Sequence, residues 1–148
     1  MNTKHATAEQ QAQIRDVLDS WAQASRDKNV DGIISHYASD VVAFDAIGPL
    51  RFIGREAYKA HWAFCMTVCA GPTLFEIHQP TILFSGELAV AYYLVHCGGT
   101  NEQGVMESSW MRATQCLQQF GGQWLIVHEH FSAPFDMESG KALFELQP

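Results

Sequence analysis

Hydrophobic residues near the start of the chain recur with the spacing of a helix. Ile14, Leu18 and Trp21 follow one another at intervals of three and four residues, and Thr7 with Gln10 matches a capping box. The charged residues of this stretch fall outside the apolar stripe. The pattern predicts an amphipathic helix that begins after Thr7, ends by residue 29 and packs one face onto the rest of the protein.

A shorter helical pattern follows at 31–38, in which Ile33, Ile34 and Tyr37 face inward. The next run, Val41–Ala46, is rich in residues that favour strands and stops at Gly48-Pro49. These features predict a short second helix and then a strand.

A third helix is predicted from Gly54 to the break at Gly71-Pro72. Its buried side is an apolar and aromatic stripe with helical spacing. The stripe consists of Tyr58, His61, Trp62, Cys65, Met66 and Cys69.

Beyond residue 72 the hydrophobic period changes from about 3.6 to two, which is typical of strands. The predicted strands are 74–84, 88–97, 106–117 and 123–132, and Gly121-Gly122 supplies the hairpin turn between the last two. Helices followed by a meander of strands indicate an α+β fold. We expect a single domain over 1–148, with a core at about 8–135 and a tail at 136–148 that forms a short terminal helix or lies over a neighbouring subunit.

The last predicted strand has two apolar faces, each with one or two titratable groups. One face carries Trp124, Ile126, His128 and His130. The other carries Leu125, Val127, Glu129 and Phe131. A sheet covered on both sides is implied, because neither face resembles a simple solvent face.

The charge balance limits the partners. Nine basic residues stand against 16 acidic ones, for a net charge of −7, and no cluster of Lys or Arg offsets it. Nucleic acid and anionic membranes are therefore not expected to bind. The start of the chain has no apolar leader, and no run approaches the roughly 18 apolar residues of a membrane span, so we expect a cytoplasmic protein with reduced, buried cysteines.

Two segments resemble the nuclear transport factor 2-like superfamily, in particular its SnoaL-like and ketosteroid isomerase-related domains. They are VDGIISHYASDVVAFDAIG (30–48) and GGQWLIVHEHFSAPF (121–135), and the similarity covers roughly residues 10–135. The resemblance implies a cystatin-like cone in which three N-terminal helices pack on a strongly curved antiparallel sheet. It also implies a homodimer formed through the convex face of the sheet.

The resemblance further implies which side chains face the inside of the cone. On the last strand these are Leu125, Val127, Glu129 and Phe131. On the two preceding strands they are Tyr92, Leu94, His96 and Gln115.

Asp45 is the first candidate catalytic residue, because an acid in an otherwise apolar strand is costly to bury without a partner or a task. By resemblance it occupies the position of the isomerase's general base, with Trp21 at the position of a tyrosine donor and Thr114 or Gln115 in place of an aspartic acid. The alternative is a capping or turn aspartate before Gly48-Pro49.

Glu129 is the second candidate, since it falls close to where the similar polyketide cyclases have their catalytic acid. Paired with Asp45, it would give one carboxyl group that holds a proton and one that stays ionised. The alternative is a surface or interface glutamate paired with Arg112 or Lys141.

A pocket for a small, mostly apolar molecule is expected inside the cone. Its expected lining is Trp21, Tyr37, Tyr58, Trp62, Met66, Tyr92, His96, Gln115 and Phe131. No cofactor is implied and no metal-binding motif is found, although His128 and His130 share a strand face.

Three functions are compatible with these residues. The first is a proton-transfer enzyme of isomerase or lyase type, acting on a carbonyl compound with Asp45 as the base, assisted by Glu129 or His96. The second is a ligand-binding module without turnover. The third is a dimerisation or interaction domain.

Overall fold

The computed structural model describes residues 6–148; residues 1–5, part of the stretch predicted to lack an apolar leader, lie outside the described residues. Residues 6–148 form three helices and six strands. In order they are α1 (Ala8–Arg26), α2 (Val30–Ile34), β1 (Tyr37–Phe44), β2 (Phe52–Ile53), α3 (Arg55–Val68), β3 (Thr73–Ser85), β4 (Leu88–Thr100), β5 (Met106–Phe120) and β6 (Gln123–Ser132).

Helix α1 begins at the predicted capping box. The Thr7 hydroxyl accepts a hydrogen bond from the Gln10 N–H at 3.1 Å, and the Gln10 side chain accepts one from the Thr7 N–H at 3.0 Å. Ile14, Leu18 and Trp21 are buried on one side of the helix. The prediction for this helix is confirmed in both its ends and its apolar face.

Helix α2 is shorter than predicted, and the strand after it begins earlier. The helix ends at Ile34, and Tyr37 is already the first residue of β1. From this point the backbone pairs with β6, beginning with the hydrogen bond from Ile126 N–H to His36 O. Pairing with a distant strand therefore overrides the local helical pattern of 35–38, and Asp45 lies just after the end of β1.

The six strands form one curved sheet in the order β2-β1-β6-β5-β4-β3. All neighbouring strands are antiparallel except β1 and β6, which are parallel. Helix α1 packs across β3 and β6, and α3 packs on β1 and β2. The predicted α+β class is confirmed; the two-residue strand β2 was not predicted. We call the sheet face under the helices the inner face.

A β-bulge in β6 changes which side chains lie on the inner face. Cys116 of β5 pairs with His128, whereas the next residue, Leu117, pairs with Ile126, so Val127 is an extra residue on β6. Glu129 is buried on the inner face as predicted, together with Phe131. For the residues before the bulge, the predicted assignment of side chains to the inner face is wrong.

The residues before the bulge exchange faces relative to the prediction. Trp124 and Ile126 are buried in the core, whereas Leu125 and Val127 line a depression on the outer face. His128 and His130 lie on the outer face as predicted, where Phe44 contacts both rings.

Strand β4 also has the opposite orientation to the one predicted. Ala91, Tyr93 and Val95 are buried on the inner face, while Tyr92 is 47% exposed. Leu94 is half-buried and alternates with these residues on the outer side. The inward prediction for Tyr92, Leu94 and His96 is wrong, because β4 has large apolar side chains on both faces and its period does not distinguish them.

The C-terminal tail contains no helix. It turns back after Phe135, which forms a bridge to Ala142, so the terminal-helix alternative is wrong. Within residues 6–148 every helix is too short or too polar to cross a membrane.

The bulge gives a pair of substitutions with unequal effects. We expect Ile126→Ala to lower the free energy of unfolding by about 2–5 kcal/mol, because it leaves a cavity in the core. Val127→Ala should cost clearly less, since its side chain is only half-buried on the outer face. Urea unfolding of both variants measures the difference; equal losses, or a larger loss at Val127, would contradict the bulge.

Candidate functional site

Glu129 is a fully buried acid on the inner face of β6. Its carboxyl group is surrounded by three donors from three other elements. The Tyr37 hydroxyl of β1 lies 2.9 and 3.0 Å from its two oxygens, the Tyr58 hydroxyl of α3 lies 2.5 Å from Oε2, and the Gln115 amide of β5 donates to Oε1 at 2.5 Å. Burial of this acid is therefore matched by hydrogen bonds.

Two further side chains orient the donors. The Trp21 indole N–H donates to the Tyr37 hydroxyl at 2.9 Å, which leaves the Tyr37 hydrogen directed at Glu129. The Tyr93 hydroxyl donates to the Gln115 amide oxygen at 3.0 Å, which turns the Gln115 NH₂ group toward the acid. The network thus spans α1, α3 and four strands of the sheet.

The environment of Glu129 favours its protonated form. Burial is the largest cause and raises the pKa of its carboxyl group to about 7, with a further rise from the charge of Asp45. The hydrogen bonds from Tyr58, Gln115 and Tyr37 act in the opposite direction. A carboxyl group with this pKa gains and loses a proton near neutral pH, as a general acid or base must.

The two carboxyl oxygens of Asp45 have different surroundings. One oxygen, Oδ1, accepts a hydrogen bond from the Ile47 N–H at 3.0 Å and so shapes the turn after β1. The other oxygen, Oδ2, lies 3.0 Å from the Tyr58 hydroxyl and 3.4 Å from Nε2 of His61. The turn contact leaves this second oxygen available for chemistry.

Tyr58 connects the two acids. Its hydroxyl contacts both Asp45 Oδ2 and Glu129 Oε2, although the two acids are far apart in the sequence. The predicted pair of carboxyl groups is therefore brought together around one hydroxyl. Glu129 does not contact Arg112, which bonds to Ser132, and forms no ion pair with Lys141.

A small cavity of about 130 Å³ lies beside Asp45. Its lining is mostly apolar and includes one acid and one histidine. The lining residues are Asp45, Ile47, His61, Trp62, Cys65, Phe75, Cys97, Met111 and Phe131. Glu129 does not line it and lies behind Tyr58.

The predicted ligand-binding residues fall into three groups. Trp62 and Phe131 line the cavity. Trp21, Tyr37, Tyr58 and Gln115 are fully buried and belong to the hydrogen-bond network around Glu129. Met66 is partly buried against the core, and Tyr92 lies on the outer face.

His96 also lies away from the cavity. Its ring stacks on Trp110, with centroids 4.5 Å apart, and bonds to the Ser108 hydroxyl at 2.9 Å. The assisting role considered for His96 is therefore not supported by its position.

Several residues of the site were not predicted. Tyr93 was missed because the inner and outer faces of β4 were predicted the wrong way round, and Cys97 and Phe75 were treated only as strand residues. His61 was seen only as part of the α3 stripe. Its position one helical turn after Tyr58 was the available signal, since residues three apart share a helix face.

The thiols at the cavity are poor nucleophiles. Burial and the nearby charge of Asp45 raise the pKa of Cys65 to about 11, and its sulfur lies 3.6 Å from Nε2 of His61. Burial also raises the pKa of Cys97. In the described part of the chain no group of three or more His, Cys, Asp or Glu side chains is arranged to hold a metal ion.

Comparison with known proteins places this chain in a family. The family model of the SnoaL-like domain matches residues 14–136. The chain belongs to the SnoaL-like family. No curated protein matches this SnoaL-like chain.

Solved structures agree with this family. An NTF2-like protein of unknown function from Pseudomonas putida KT2440 is 49% identical, with 97% of this chain and 99% of that chain covered and a TM-score of 0.88. A ketosteroid isomerase-like protein from Erwinia carotovora atroseptica SCRI1043 is 17% identical, with 84% and 96% covered and a TM-score of 0.71. A protein of unknown function with a cystatin-like fold from Nostoc punctiforme PCC 73102 is 12% identical, with 87% and 94% covered and a TM-score of 0.74. The last two share the fold with this SnoaL-like protein.

The raised pKa of Glu129 predicts how stability changes with pH. In the unfolded chain this carboxyl group loses its proton near pH 4.5, whereas in the folded protein it does so near pH 7. The contribution of Glu129 to the free energy of unfolding is therefore fully present below pH 4.5. This contribution, about 3 kcal/mol, is lost as the pH rises through 7.

Urea unfolding between pH 4 and 8 tests this prediction. Glu129→Gln should remove this part of the pH dependence, because the amide does not titrate. The exposed Glu76 on β3 provides the control, and Glu76→Gln should keep the dependence of the unmodified protein. A pH dependence that survives in Glu129→Gln would show that other groups cause it.

Proposed function

We propose that this SnoaL-like protein binds a small, mostly apolar carbonyl compound in the cavity and moves a proton next to the carbonyl group, with Asp45 as the base. One observation carries the proposal. Asp45 lines a mostly apolar cavity, while its Oδ2 atom is positioned by Tyr58 and His61. A carboxylate at the wall of a mostly apolar cavity is well suited to accept a proton from carbon.

The proposed reaction begins with removal of a proton from the carbon next to the carbonyl group. Asp45 takes this proton, the electron pair moves toward the carbonyl oxygen, and an enol or enolate forms. Return of the proton to another carbon gives an isomerase, and loss of a neighbouring group gives a lyase. Either outcome uses the same first step.

Polar groups are available for the oxygen that gains charge. The indole N–H of Trp62, a lining residue, is buried and has no hydrogen-bond partner among the described residues. Such an N–H is costly to leave unpaired, and a ligand oxygen seated against it would supply the acceptor. His61 lies on the same wall, 3.4 Å from Asp45.

The cavity volume restricts the compound. At about 130 Å³ it is close to the 150 Å³ or so of an engineered protein cavity that binds benzene. The enclosed part of the ligand is thus on the order of six to eight non-hydrogen atoms. A steroid, which needs several hundred cubic ångströms, would extend beyond this cavity.

A ligand-binding module without turnover is the second candidate. The observation in its favour is that the Glu129 oxygens are fully occupied by core donors and that Asp45 also holds the turn after β1. Both acids would then serve the fold, and the cavity would select a ligand by size.

Exchange of hydrogen for deuterium distinguishes the two candidates without knowledge of the product. Small ketones and aldehydes are incubated with the protein in D₂O, and ¹H NMR follows the loss of the signals next to the carbonyl group. We expect protein-dependent exchange for at least one compound of this size. Asp45→Asn should slow it by about 10²–10⁴-fold, the usual contribution of a general base.

The exposed Asp40 on β1 supplies the matched control, and Asp40→Asn should exchange at the unmodified rate. Binding without exchange, seen as ligand line broadening alone, would favour the binding module. Equal exchange by Asp45→Asn and the unmodified protein would rule out Asp45 as the base.

We further propose that the protein forms a homodimer through the outer face of the sheet. Exposed apolar side chains on neighbouring strands support it, among them Leu83, Leu88 and Tyr92. Aromatic and aliphatic groups concentrated on one face are typical of interfaces between subunits.

Light scattering on the purified protein tests the dimer. We expect a mass twice the 16.5 kDa of one chain. Tyr92→Asp should shift it toward the monomer, because a charge would be buried at the interface. The control is the exposed Phe64 of α3, away from this face, and Phe64→Asp should remain dimeric. A monomer before any substitution would exclude the proposal.

A further inference from the structure

We propose that Asp45, Tyr58 and Glu129 form a proton relay, in which the two carboxyl groups share one proton through the Tyr58 hydroxyl. This inference deepens the proposed function and rests on it for its purpose, since it says where the proton taken by Asp45 goes. Its evidence is the geometry of the three groups.

The first argument is a count of hydrogens. The Tyr58 hydroxyl has one hydrogen but contacts two carboxyl oxygens, Glu129 Oε2 at 2.5 Å and Asp45 Oδ2 at 3.0 Å. If both acids were ionised, one of these contacts would place oxygen lone pairs against each other. A single proton on either acid makes both contacts hydrogen bonds.

The second argument concerns the other neighbours of Glu129. Tyr37 accepts from Trp21 and points its hydrogen at Glu129, and the Gln115 amide nitrogen is only a donor. Neither of them lines the cavity. Among the described residues, Tyr58 is thus the one group that bonds Glu129 and also contacts an acid at the cavity wall.

The third argument is the charge around the pair. Titratable groups that face Glu129 are Tyr37 from β1, Tyr58 from α3, Tyr93 from β4 and the nearby Asp45. Those near Asp45 are His61, Cys65 and Cys97. No lysine or arginine in the described part of the chain forms an ion pair with either acid. A shared proton lowers the repulsion between the two carboxyl groups.

The transfer balances in protons and charge. The cycle starts with both acids ionised, so the one proton that they come to share is the proton that Asp45 takes from the substrate. Asp45 donates it to the Tyr58 oxygen while the Tyr58 hydrogen moves to Glu129 Oε2. One O–H bond breaks and one forms at Tyr58, which remains neutral, and the negative charge moves from Glu129 to Asp45. Asp45 is then ionised again, and the reverse transfer returns the proton.

Burial supports the role of Glu129 as the group that stores the proton. The carboxyl group has no exposure to solvent, and burial raises its pKa to about 7, so it binds and releases a proton near neutral pH. Without the relay, a proton would reach it only when the core opens.

Carbon-13 NMR of the ligand-free protein with labelled glutamate carboxyl groups tests the relay. The Glu129 signal is assigned by its loss in Glu129→Gln and is followed from pH 5 to 9. In the unmodified protein we expect a single line that shifts with pH, because the relay exchanges the proton quickly. In Tyr58→Phe we expect separate or strongly broadened lines for the two protonation states near the midpoint.

Tyr37→Phe is the matched control. It also removes one hydroxyl donor from Glu129 and leaves the ring in place, but the route through Tyr58 remains, so its line should still be averaged. A merely structural role of Tyr58 would make the two variants alike. Averaged lines in Tyr58→Phe would overturn the relay.

Asp45→Asn gives a second test that does not depend on the folding of Tyr58→Phe. Its amide cannot pass a proton on, so the Glu129 lines should separate as well; averaged lines would contradict the relay. Because no substrate is present, failure here leaves the proposed base intact. Conversely, the unmodified protein could show no deuterium exchange but still give an averaged Glu129 line that separates in Tyr58→Phe. That result would reject the proposed function and keep the relay.

Discussion

Burial of one carboxyl group constrains the rest of this structure. Glu129 is enclosed by the core, and taking an unpaired carboxylate out of water costs far more than a domain's net stability allows. Hydrogen bonds from three donors on β1, α3 and β5 offset this cost. These elements must therefore meet at one point.

The same constraint separates the environments of the two acids. Glu129 lies behind Tyr58 and is satisfied by protein donors, whereas Asp45 lies at the wall of the cavity with one oxygen in a turn. Two similar groups in unlike surroundings are a frequent basis of acid–base sites. The rings of Tyr37 and Tyr58, which bond to these acids, and of Trp21, which bonds to Tyr37, fill much of the core, and only a small cavity remains beside Asp45.

The sequence was sufficient for most of the fold. Period and capping signals located α1, α3 and the four long strands. The apolar run around Asp45 drew attention to that acid, and the resemblance to the polyketide cyclases drew attention to Glu129. The bulge at Val127 was not predictable, because both faces of β6 are apolar and an extra residue leaves no local mark. The prediction of which β4 side chains face inward was wrong for the same reason.

The partners of the acids were also out of reach of sequence reasoning. Tyr58 was expected in a ligand pocket, and only the packing of α3 against β1 shows that its hydroxyl lies between two carboxyl groups. Contacts between side chains so far apart in sequence depend on helix rotation and strand register together. The spacing of hydrophobic residues determines neither the helix rotation nor the strand register closely enough to predict these contacts.

The distances along the chain between Glu129 and its donors have a consequence for the order of folding. Gln115 is 14 residues away, within the β5–β6 hairpin, whereas Tyr58 and Tyr37 are 71 and 92 residues away. The hairpin can form early, but the acid stays hydrated until β1 and α3 dock. We expect this late docking step to slow as the pH rises, because an ionised Glu129 must then lose its water.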